Sequence, residues 1–317
     1  MTIPEVSPVA EQQDRTASSP TSTGDETGTI LVVGATETVG REVVRRLGAA
    51  GARPRALMHT GPSGPVPGDR SDRVSADLDR PATIEAALDG VDRLFLLTRQ
   101  TSRQLAQEQT VIAAAARAGL GRVVKLSVFR ADERSPLQIA RQHWQAERVL
   151  QDSGVQHTVL RPVFFMQNLF GMVRDDTVAT AAHDGRVAMI DARDIAAAAV
   201  AALTTVPAVG RVYTLTGPEA VSFDQVADVL GRRAGRALRH VRVPAEAVFE
   251  RLRSAGAEAW FAADMAALHG MLADGYEDVI TPDVSALTGT PAAPLARFAA
   301  DYSTRFTPDA ATAGGRQ

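Results

Sequence analysis

Short apolar runs alternate with amphipathic segments along the first half of the chain. The apolar runs are rich in β-branched residues and end near glycine, proline or serine, which is typical of strands buried on both faces. The segments between them, at 41–47, 81–88, 102–118 and 135–152, are predicted helices. Six strands are predicted, at residues 29–33, 54–58, 74–78, 91–97, 123–128 and 155–160. This alternation predicts parallel βαβ units in a doubly wound α/β sheet.

The pattern becomes looser after residue 162, where helices predominate. Strands are predicted at 186–190, 211–215 and 238–243. An alanine-rich helix at 191–205 is expected to return the chain to the sheet, and Ser222 is expected to cap a later helix. From Pro244 to about Tyr302 the sequence is mostly helical.

The first strand runs into a turn that has a glycine at each end, Gly34 and Gly40. Glycine is needed where the backbone bends sharply and where the following helix packs against the strand. The N–H groups of such a helix N-terminus, together with the positive end of the helix dipole, bind a pyrophosphate. The turn therefore predicts a dinucleotide site, although Glu37 stands at its middle position, where another glycine is expected.

These patterns divide the chain into four parts. Residues 1–27 are polar and rich in Ser, Thr and Pro, so we predict a disordered N-terminal tail. Residues 28–162 form the predicted α/β domain with the dinucleotide site. Residues 163–305 form a smaller, mostly helical region that carries the substrate lobe and returns segments to the sheet, and 306–317 are a predicted frayed tail.

Composition narrows the classes of function. The chain has no cysteine, which excludes disulfides, thiolate metal sites and cysteine nucleophiles. The six histidines show no paired ligand spacing, so we expect no metal. A net charge of -3 argues against a nucleic-acid partner, and no apolar run is long enough to span a membrane. We expect a cytoplasmic protein that is a monomer or a homodimer.

Several short blocks in order resemble the NmrA-like branch of the atypical short-chain dehydrogenases/reductases. The blocks lie at residues 33–40, 76–78, 124–127, 143–147, 153–154, 160–168, 190–196 and 215–218. The resemblance implies a Rossmann domain that binds NAD(P), with a smaller C-terminal region that closes over the nicotinamide end. It also implies a reductase of small carbonyl or quinone compounds, or a redox sensor without turnover.

The resemblance assigns cofactor contacts to several positions. The phosphate turn is formed by Gly34, Thr36, Glu37, Thr38, Val39 and Gly40. Asp77 is placed to accept a hydrogen bond from the adenine amino group, with helix capping as the alternative, and Leu97 and Thr98 flank the cofactor through their backbone. The second strand ends without the carboxylate that holds a ribose 2′-hydroxyl, which disfavours NAD. His59 stands where the family has an NADPH-binding arginine, and we expect NADPH to be bound in preference to NAD.

Ordinary members of this superfamily use a Tyr-x-x-x-Lys pair on the helix after the fifth strand, and this chain lacks it. Ile139 and His143 occupy the two positions. His143 is therefore the candidate acid or ribose contact, because its reference pKa is near neutral, and the alternative is a partly buried structural residue. Lys125, the single lysine of the chain, lies in an apolar strand and must face a pocket, a sheet edge or a carboxylate. Ser127 at the end of that strand is placed either to bond a substrate carbonyl or to cap a turn.

An aromatic patch follows the sixth strand. Its residues Phe164, Phe165, Met166 and Asn168 either form an apolar wall beside the nicotinamide or belong to the ordinary core. The wall would suit a small hydrophobic substrate. The leading hypothesis is therefore an NAD(P)-dependent oxidoreductase acting on a carbonyl or quinone-like molecule. The alternatives are a non-catalytic redox sensor and a cofactor-independent cyclase or dehydratase on the same scaffold.

Overall fold

The computed structural model describes residues 28–59, 71–205 and 210–307, except for the side chain of His59. The predicted tail at 1–27 lies outside these ranges. The first half of the described chain alternates strands and helices: β1 (Ile30–Val32), α1 (Thr38–Ala49), β2 (Arg55–His59), β3 (Asp72–Ala76), α2 (Pro81–Ala87), β4 (Arg93–Leu96), α3 (Gln104–Arg117), β5 (Arg122–Leu126), α4 (Gln138–Asp152) and β6 (His157–Pro162). All six predicted strands are present, with ends shifted by one or two residues.

The second half of the described chain has more helices and shorter strands: α5 (Leu169–Met172), β7 (Val173–Arg174), β8 (Thr177–Thr180), β9 (Arg186–Val187), α6 (Ala192–Thr204), β10 (Arg211–Leu215), β11 (Val221–Ser222), α7 (Phe223–Ala234), β12 (Arg239–Arg242), α8 (Ala245–Ser254), α9 (Ala259–Ala273), α10 (Asp283–Thr288) and α11 (Leu295–Asp301). The predicted capping role of Ser222 is confirmed, because its side chain accepts from Gln225 N and completes a capping box at α7.

The main sheet has the order β10-β6-β5-β4-β1-β2-β3 in the described residues, and its neighbouring strands are all parallel. The prediction of a doubly wound α/β sheet is confirmed. The strand order reverses direction between β1 and β4, and open α/β sheets bind ligands at the carboxyl ends of the strands beside such a switch point.

Alternate residues of β1 face opposite layers of helices. Ile30 and Val32 belong to a core that includes Val43 of α1 and Ala199 of α6. Leu31 and Val33 belong to a second core formed with α2, α3 and α4. Burial on both faces explains why the strand is apolar throughout.

The chain returns to the sheet through α6, as predicted, and β10 pairs in parallel with β6. Beyond β6, a second sheet of order β12-β8-β7 supports the helices α8 and α9. The strands β7 and β8 were not predicted, because two to four residues are too few to show an alternating pattern. The second sheet and the helices α8 and α9 lie over the carboxyl ends of the strands of the main sheet.

The frayed tail was predicted to begin at residue 306, but Phe306 packs inside the fold. Its side chain is buried and its ring centroid lies 5.6 Å from that of Phe170, which also stacks against Phe298. The aromatic cluster therefore anchors the chain up to this point. No helix among residues 28–59, 71–205 and 210–307 has the length and apolar character to cross a membrane.

Candidate functional site

The turn between β1 and α1 needs both of its end glycines. Gly34 has a φ of 78°, and a Cβ placed on it would lie 2.4 Å from the Leu97 carbonyl oxygen. A Cβ placed on Gly40 would lie 2.0 Å from the carbonyl oxygen of Gly34. The turn is therefore as tight as the sequence pattern predicts, and it brings the N-terminus of α1 against the ends of β1 and β4.

The N-terminus of α1 opens onto a cavity. Glu37 occupies the N-cap position, but its side chain makes no capping hydrogen bond. Thr38 and Val39 in the first turn line the cavity, and the first N–H groups of a helix have no acceptor within the helix. Uncapped donors and a positive dipole end facing a cavity fit the pyrophosphate of a dinucleotide.

The Glu37 carboxylate is partly exposed at this mouth of the cavity. Its Oε1 lies 3.6 Å from Nε of Arg99, which follows β4 and is also exposed. The guanidinium of Arg41, one turn along α1, donates to the Thr36 carbonyl oxygen instead and forms no ion pair with the Glu37 carboxylate. Arg99 is therefore the counter-charge for Glu37, and so exposed a pair is weak.

The cavity has a volume of about 730 Å³ and extends from the phosphate turn to a chamber beneath α8 and α9. Ten of the residues singled out from the sequence line it: Glu37, Thr38, Val39, Leu97, Thr98, Ser127, His143, Phe164, Phe165 and Asn168. Leu137, Ile139, Phe261, Met265 and Leu268 add apolar surface to its walls. The fold therefore joins a phosphate turn to a largely apolar chamber.

Lys125 is fully buried behind the cavity and does not line it. Its ammonium lies 2.9 Å from Oε2 of Glu108 on α3 and donates to the Leu126 carbonyl oxygen and to His143. Glu108 also accepts a hydrogen bond from Thr98. Of the three environments that the sequence left open for Lys125, the structure shows the carboxylate, so the lysine does not face the chamber directly.

His143 has polar partners at both ring nitrogens. Its Nδ1 lies 3.0 Å from Lys125 Nζ, and its Nε2 lies 3.0 Å from the side-chain amide nitrogen of Gln104. Because the Lys125 ammonium donates to Nδ1, the ring is neutral and carries its proton on Nε2. Gln104 Oε1 has no other hydrogen-bond partner in the described chain, and a turned amide makes it the acceptor for that proton.

These partners correct the sequence-based role of His143 as an acid. Burial, followed by the charges of Lys125 and Arg161, holds the pKa of His143 well below its usual value. A neutral imidazole whose only N–H is bonded inside the protein is a poor proton donor. His143 instead contributes a rigid wall to the cavity.

Ser127 lines the cavity, but its hydroxyl donates to Oε1 of Glu147 on α4. Arg161 donates to the same carboxylate through Nε, 3.0 Å from Oε1. Neither a turn cap nor a free hydroxyl donor is observed. The oxygen of Ser127 keeps its capacity to accept a hydrogen bond from a ligand.

Three other predicted contacts lie away from the cavity or outside the described residues. Asp77 does not line the cavity, and its Oδ1 accepts from Asp79 N in the turn before α2. Met166 is buried in the core beneath α7 and does not reach the cavity, unlike Phe164 and Phe165. The side chain of His59 lies outside the described part of the chain.

Two cavity residues, Tyr276 and Glu277, were not found from the sequence. The three tyrosines are all distant from α4 in sequence, but Tyr276 lines the same cavity as His143. The Tyr276 ring packs edge-on against Phe129, and the Arg130 guanidinium lies 4.9 Å from the ring centroid. The segment after α9 is polar in sequence and gives no sign that it folds back onto the sheet.

Glu277 is a buried carboxyl group on the cavity wall. Its Oε2 accepts a hydrogen bond of 2.8 Å from the backbone N–H of Phe164, directly after β6. Burial raises the pKa of Glu277 to about 7, against the opposing effects of that hydrogen bond and of the Arg130 charge. The group is therefore poised between its acid and base forms near neutral pH.

The chain matches the model of the NmrA-like family over residues 26–288, and it belongs to this family. It is 35% identical over 282 residues to a protein named NAD(P)H azoreductase from Xenophilus azovorans, covering 87% of this chain and 99% of the relative. It is also 35% identical over 302 residues to the (4-alkanoyl-5-oxo-2,5-dihydrofuran-3-yl)methyl phosphate reductase of Streptomyces griseus, covering 88% and 100%.

Solved structures show the same arrangement. The NADPH-dependent quinone oxidoreductase QOR2 of Escherichia coli, in its complex with NADPH, superposes with a TM-score of 0.75 at 26% identity. The similarity covers 86% of this chain and 99% of that structure. The resemblance to NmrA-like proteins inferred from short sequence blocks is thus confirmed for the whole fold.

Proposed function

We propose that the protein is an NAD(P)H-dependent oxidoreductase that reduces a small, hydrophobic, quinone-like molecule. The observation that carries this proposal is the continuous cavity between the glycine turn of α1 and the apolar chamber. A redox cofactor and an organic acceptor can meet only where one cavity holds both. The names of the relatives, an NAD(P)H azoreductase and an NADPH-dependent quinone oxidoreductase, support the same class of reaction.

The residues of the turn suit the cofactor's pyrophosphate, and we assign this group to the N–H donors of Thr38, Val39 and Gly40. Leu97 and Thr98 at the end of β4 then border the middle of the cofactor, with Ser127 beyond them as a hydrogen-bond acceptor. When bound, the dihydronicotinamide supplies a hydride. The fixed ring of His143 and the aromatic side chains after β6 exclude water from that end of the cavity.

We place the substrate against Phe164, Phe165 and the helices α8 and α9, in the region 163–305. A planar aromatic acceptor fits walls of this composition because its desolvation is the main driving force for binding. We expect NADPH to be preferred to NADH, since β2 ends without a carboxylate to repel a 2′-phosphate.

A titration with nicotinamide cofactors tests whether the protein binds NADPH and oxidises it. NADPH, NADP⁺, NADH and NAD⁺ are titrated separately into the purified protein by calorimetry. The proposal expects saturable binding of NADPH, weaker binding of NADH, and oxidation of the bound NADPH when menadione is added. Binding without oxidation would favour the sensor hypothesis, and no binding would favour a cofactor-independent enzyme.

Glu37 is expected to weaken the binding of NADPH. A full charge about 4 Å from a phosphate at an effective dielectric near 20 costs about 4 kcal/mol, and exposure and Arg99 reduce this to roughly 1.4 kcal/mol, or tenfold in affinity. Glu37→Gly should therefore bind NADPH about tenfold more tightly by calorimetry. Glu37→Gln, which removes the charge and keeps the side chain, should recover part of the gain, and Arg99→Gln should weaken binding. Tight binding by the parent protein that Glu37→Gly leaves unchanged would show that the carboxylate does not face the phosphates.

Arg251 indicates an anionic group on the substrate. Its side chain lines the chamber and donates to the Ala179 carbonyl oxygen, and it forms no ion pair with a carboxylate of the described chain. Burial and the charge of Arg174 lower the pKa of Arg251, so an anion would relieve an unfavourable charge. We expect Arg251→Met to raise KM for methyl red about tenfold and to leave KM for its uncharged methyl ester unchanged. Arg253→Met, an exposed change on the same helix, is the matched control, and equal KM effects on both dyes would contradict the assignment.

A further inference from the structure

The cavity contains one carboxyl group that has no cation to balance it. Glu277 is 4% exposed and lines the chamber. Within the described chain, the only hydrogen bond of its carboxyl group is the one that Oε2 accepts from the backbone N–H of Phe164. The second oxygen, Oε1, bonds to no group in the described chain, and no described lysine or arginine forms an ion pair with this residue.

Such a group is costly to keep in a fold. Moving a carboxylate into an apolar site without a cation is unfavourable, and proteins usually avoid it by pairing or replacing the group. The buried carboxylates Glu108 and Glu147 elsewhere in this molecule are paired with Lys125 and Arg161. Asp264 is also buried without an ion pair, but it accepts a hydrogen bond from Ile139 N–H and does not line the cavity. Of the described buried carboxyl groups that lack an ion pair, Glu277 is the one that faces the chamber, and this position points to a role with a ligand.

The position of Glu277 is fixed relative to the sheet. The hydrogen bond to Phe164 holds the carboxyl at the carboxyl end of β6, where Phe164 and Phe165 line the cavity. Ser127 lines the same cavity at the end of the neighbouring strand, β5. The Glu277 carboxyl and the Ser127 hydroxyl therefore lie at the same edge of the sheet, where the reduced part of a substrate would lie.

We propose that the Glu277 carboxyl is the catalytic acid that protonates the reduced substrate, an inference that rests on the proposed function. Hydride addition to a quinone leaves a negative charge on a ring oxygen. The O–H bond of the Glu277 carboxylic acid breaks, the new O–H bond forms on that oxygen, and a hydroquinone results. Glu277 is left as a carboxylate and regains its proton from solvent, so the overall reaction consumes one hydride and one proton.

The other candidate acids of the cavity are less suitable. The N–H proton of His143 faces Gln104, and the hydroxyl proton of Ser127 is donated to Glu147. The phenol of Tyr276 lies next to Glu277 in sequence, and burial raises its pKa above the usual value. Tyr276 therefore remains the comparison that an experiment must include.

The groups around Glu277 leave it as the one that titrates near neutral pH. Arg130 follows β5 and Arg251 lies on α8, and neither forms an ion pair with Glu277 in the described chain. Burial lowers the pKa of His143, and it lowers the pKa of His269 on α9 to about 4. Glu277 itself titrates at about 7. Because the acid form is the active one, activity is present below this pH and is lost as pH rises through it.

The test is the pH dependence of menadione reduction by NADPH under anaerobic conditions. For the natural protein, kcat/KM should be constant at low pH and fall tenfold per pH unit above about pH 7. Glu277→Gln, which keeps an acceptor for Phe164 N–H, should remove this limb and lower kcat at about pH 6 by roughly 100-fold. Its dissociation constant for NADPH should stay within about twofold of the natural value.

Three variants separate the possible explanations. Glu250→Gln removes an exposed carboxylate of α8 outside the cavity and should behave like the natural protein. Tyr276→Phe should keep the pH limb. Glu277→Asp retains an acid and should keep the limb at reduced kcat, which also covers the case in which the glutamine variant does not fold.

A flat pH profile in the natural protein, or a limb that survives in Glu277→Gln and disappears in Tyr276→Phe, would overturn the assignment of Glu277. Those results would leave the oxidoreductase function standing, because NADPH would still be oxidised. Failure of the natural protein to bind or oxidise NADPH with any of the tested quinones would instead overturn the proposed function itself. The two failures are therefore distinguishable in a single set of assays.

Discussion

Replacing Lys125 with methionine is expected to destabilise the protein by about 3–5 kcal/mol. The substitution leaves the Glu108 carboxylate buried with only the Thr98 hydroxyl to stabilise it. It also removes the donor that fixes the tautomer of His143. Urea unfolding monitored by circular dichroism gives the change in the free energy of unfolding at pH 7.

Two further variants distinguish the loss of a buried pair from a loss of packing. Lys125→Met combined with Glu108→Leu removes both charges and should recover most of the stability, because the remaining carboxylate is the source of the penalty. Arg117→Met breaks the exposed pair with Glu85, 2.7 Å apart, and should change stability by less than about 1 kcal/mol. A single Lys125→Met variant as stable as the natural protein would show that Glu108 is not held as a carboxylate by this lysine.

Replacing Gly40 with alanine is expected to abolish tight cofactor binding and to destabilise the fold. The added Cβ would lie 2.0 Å from the Gly34 carbonyl oxygen, a backbone atom that cannot rotate away. Overpacking of this kind costs about 1–3 kcal/mol, and the turn must open to relieve it, which moves the first N–H groups of α1. We expect the affinity for NADPH to fall at least about 100-fold by calorimetry.

Gly48→Ala is the matched control on the same helix. A Cβ at Gly48 meets no atom within 4 Å, so the change should be neutral or should stabilise α1 by about 0.5–1 kcal/mol. NADPH affinity should be unchanged in this variant. Natural affinity in Gly40→Ala would contradict the assignment of this turn to the pyrophosphate.

The fold was predictable because its strongest patterns are local. Apolar runs followed by helical periodicity predicted the six strands of the first half, and the glycine spacing predicted the turn at Gly34 and Gly40. The tight geometry of this turn follows from the absence of a side chain at two positions, which a sequence shows directly.

The site was only partly predictable, because burial depends on distant segments. Lys125 in an apolar strand predicted the need for a partner, but nothing local identified Glu108, which lies 17 residues earlier on α3. Position in the helix suggested His143 as an acid, and only the structure shows that Lys125 and Gln104 occupy both of its ring nitrogens.

Glu277 shows most clearly which part of the site could not be predicted from the sequence. It lies in a polar segment after α9, with Gly275 before it and Asp278 after it, and its sequence predicted only that it belongs to a mostly helical region. Its burial arises because Phe164 N–H, 113 residues earlier, needs an acceptor beyond the end of β6. A hydrogen bond between segments so far apart has no counterpart in local sequence periodicity.

A single-turnover experiment tests the central claim, which is hydride transfer from NADPH to a quinone in this cavity. The protein is mixed anaerobically with one equivalent of NADPH and then rapidly with excess menadione, and the absorbance of the dihydronicotinamide is followed. We predict a single exponential decay that saturates with menadione and that slows when deuterium replaces one of the two C4 hydrogens, and not the other. Persistence of the absorbance of bound NADPH would contradict the account. Equal decay rates with ordinary NADPH and with both deuterated forms, or a natural decay rate in Gly40→Ala, would also contradict it.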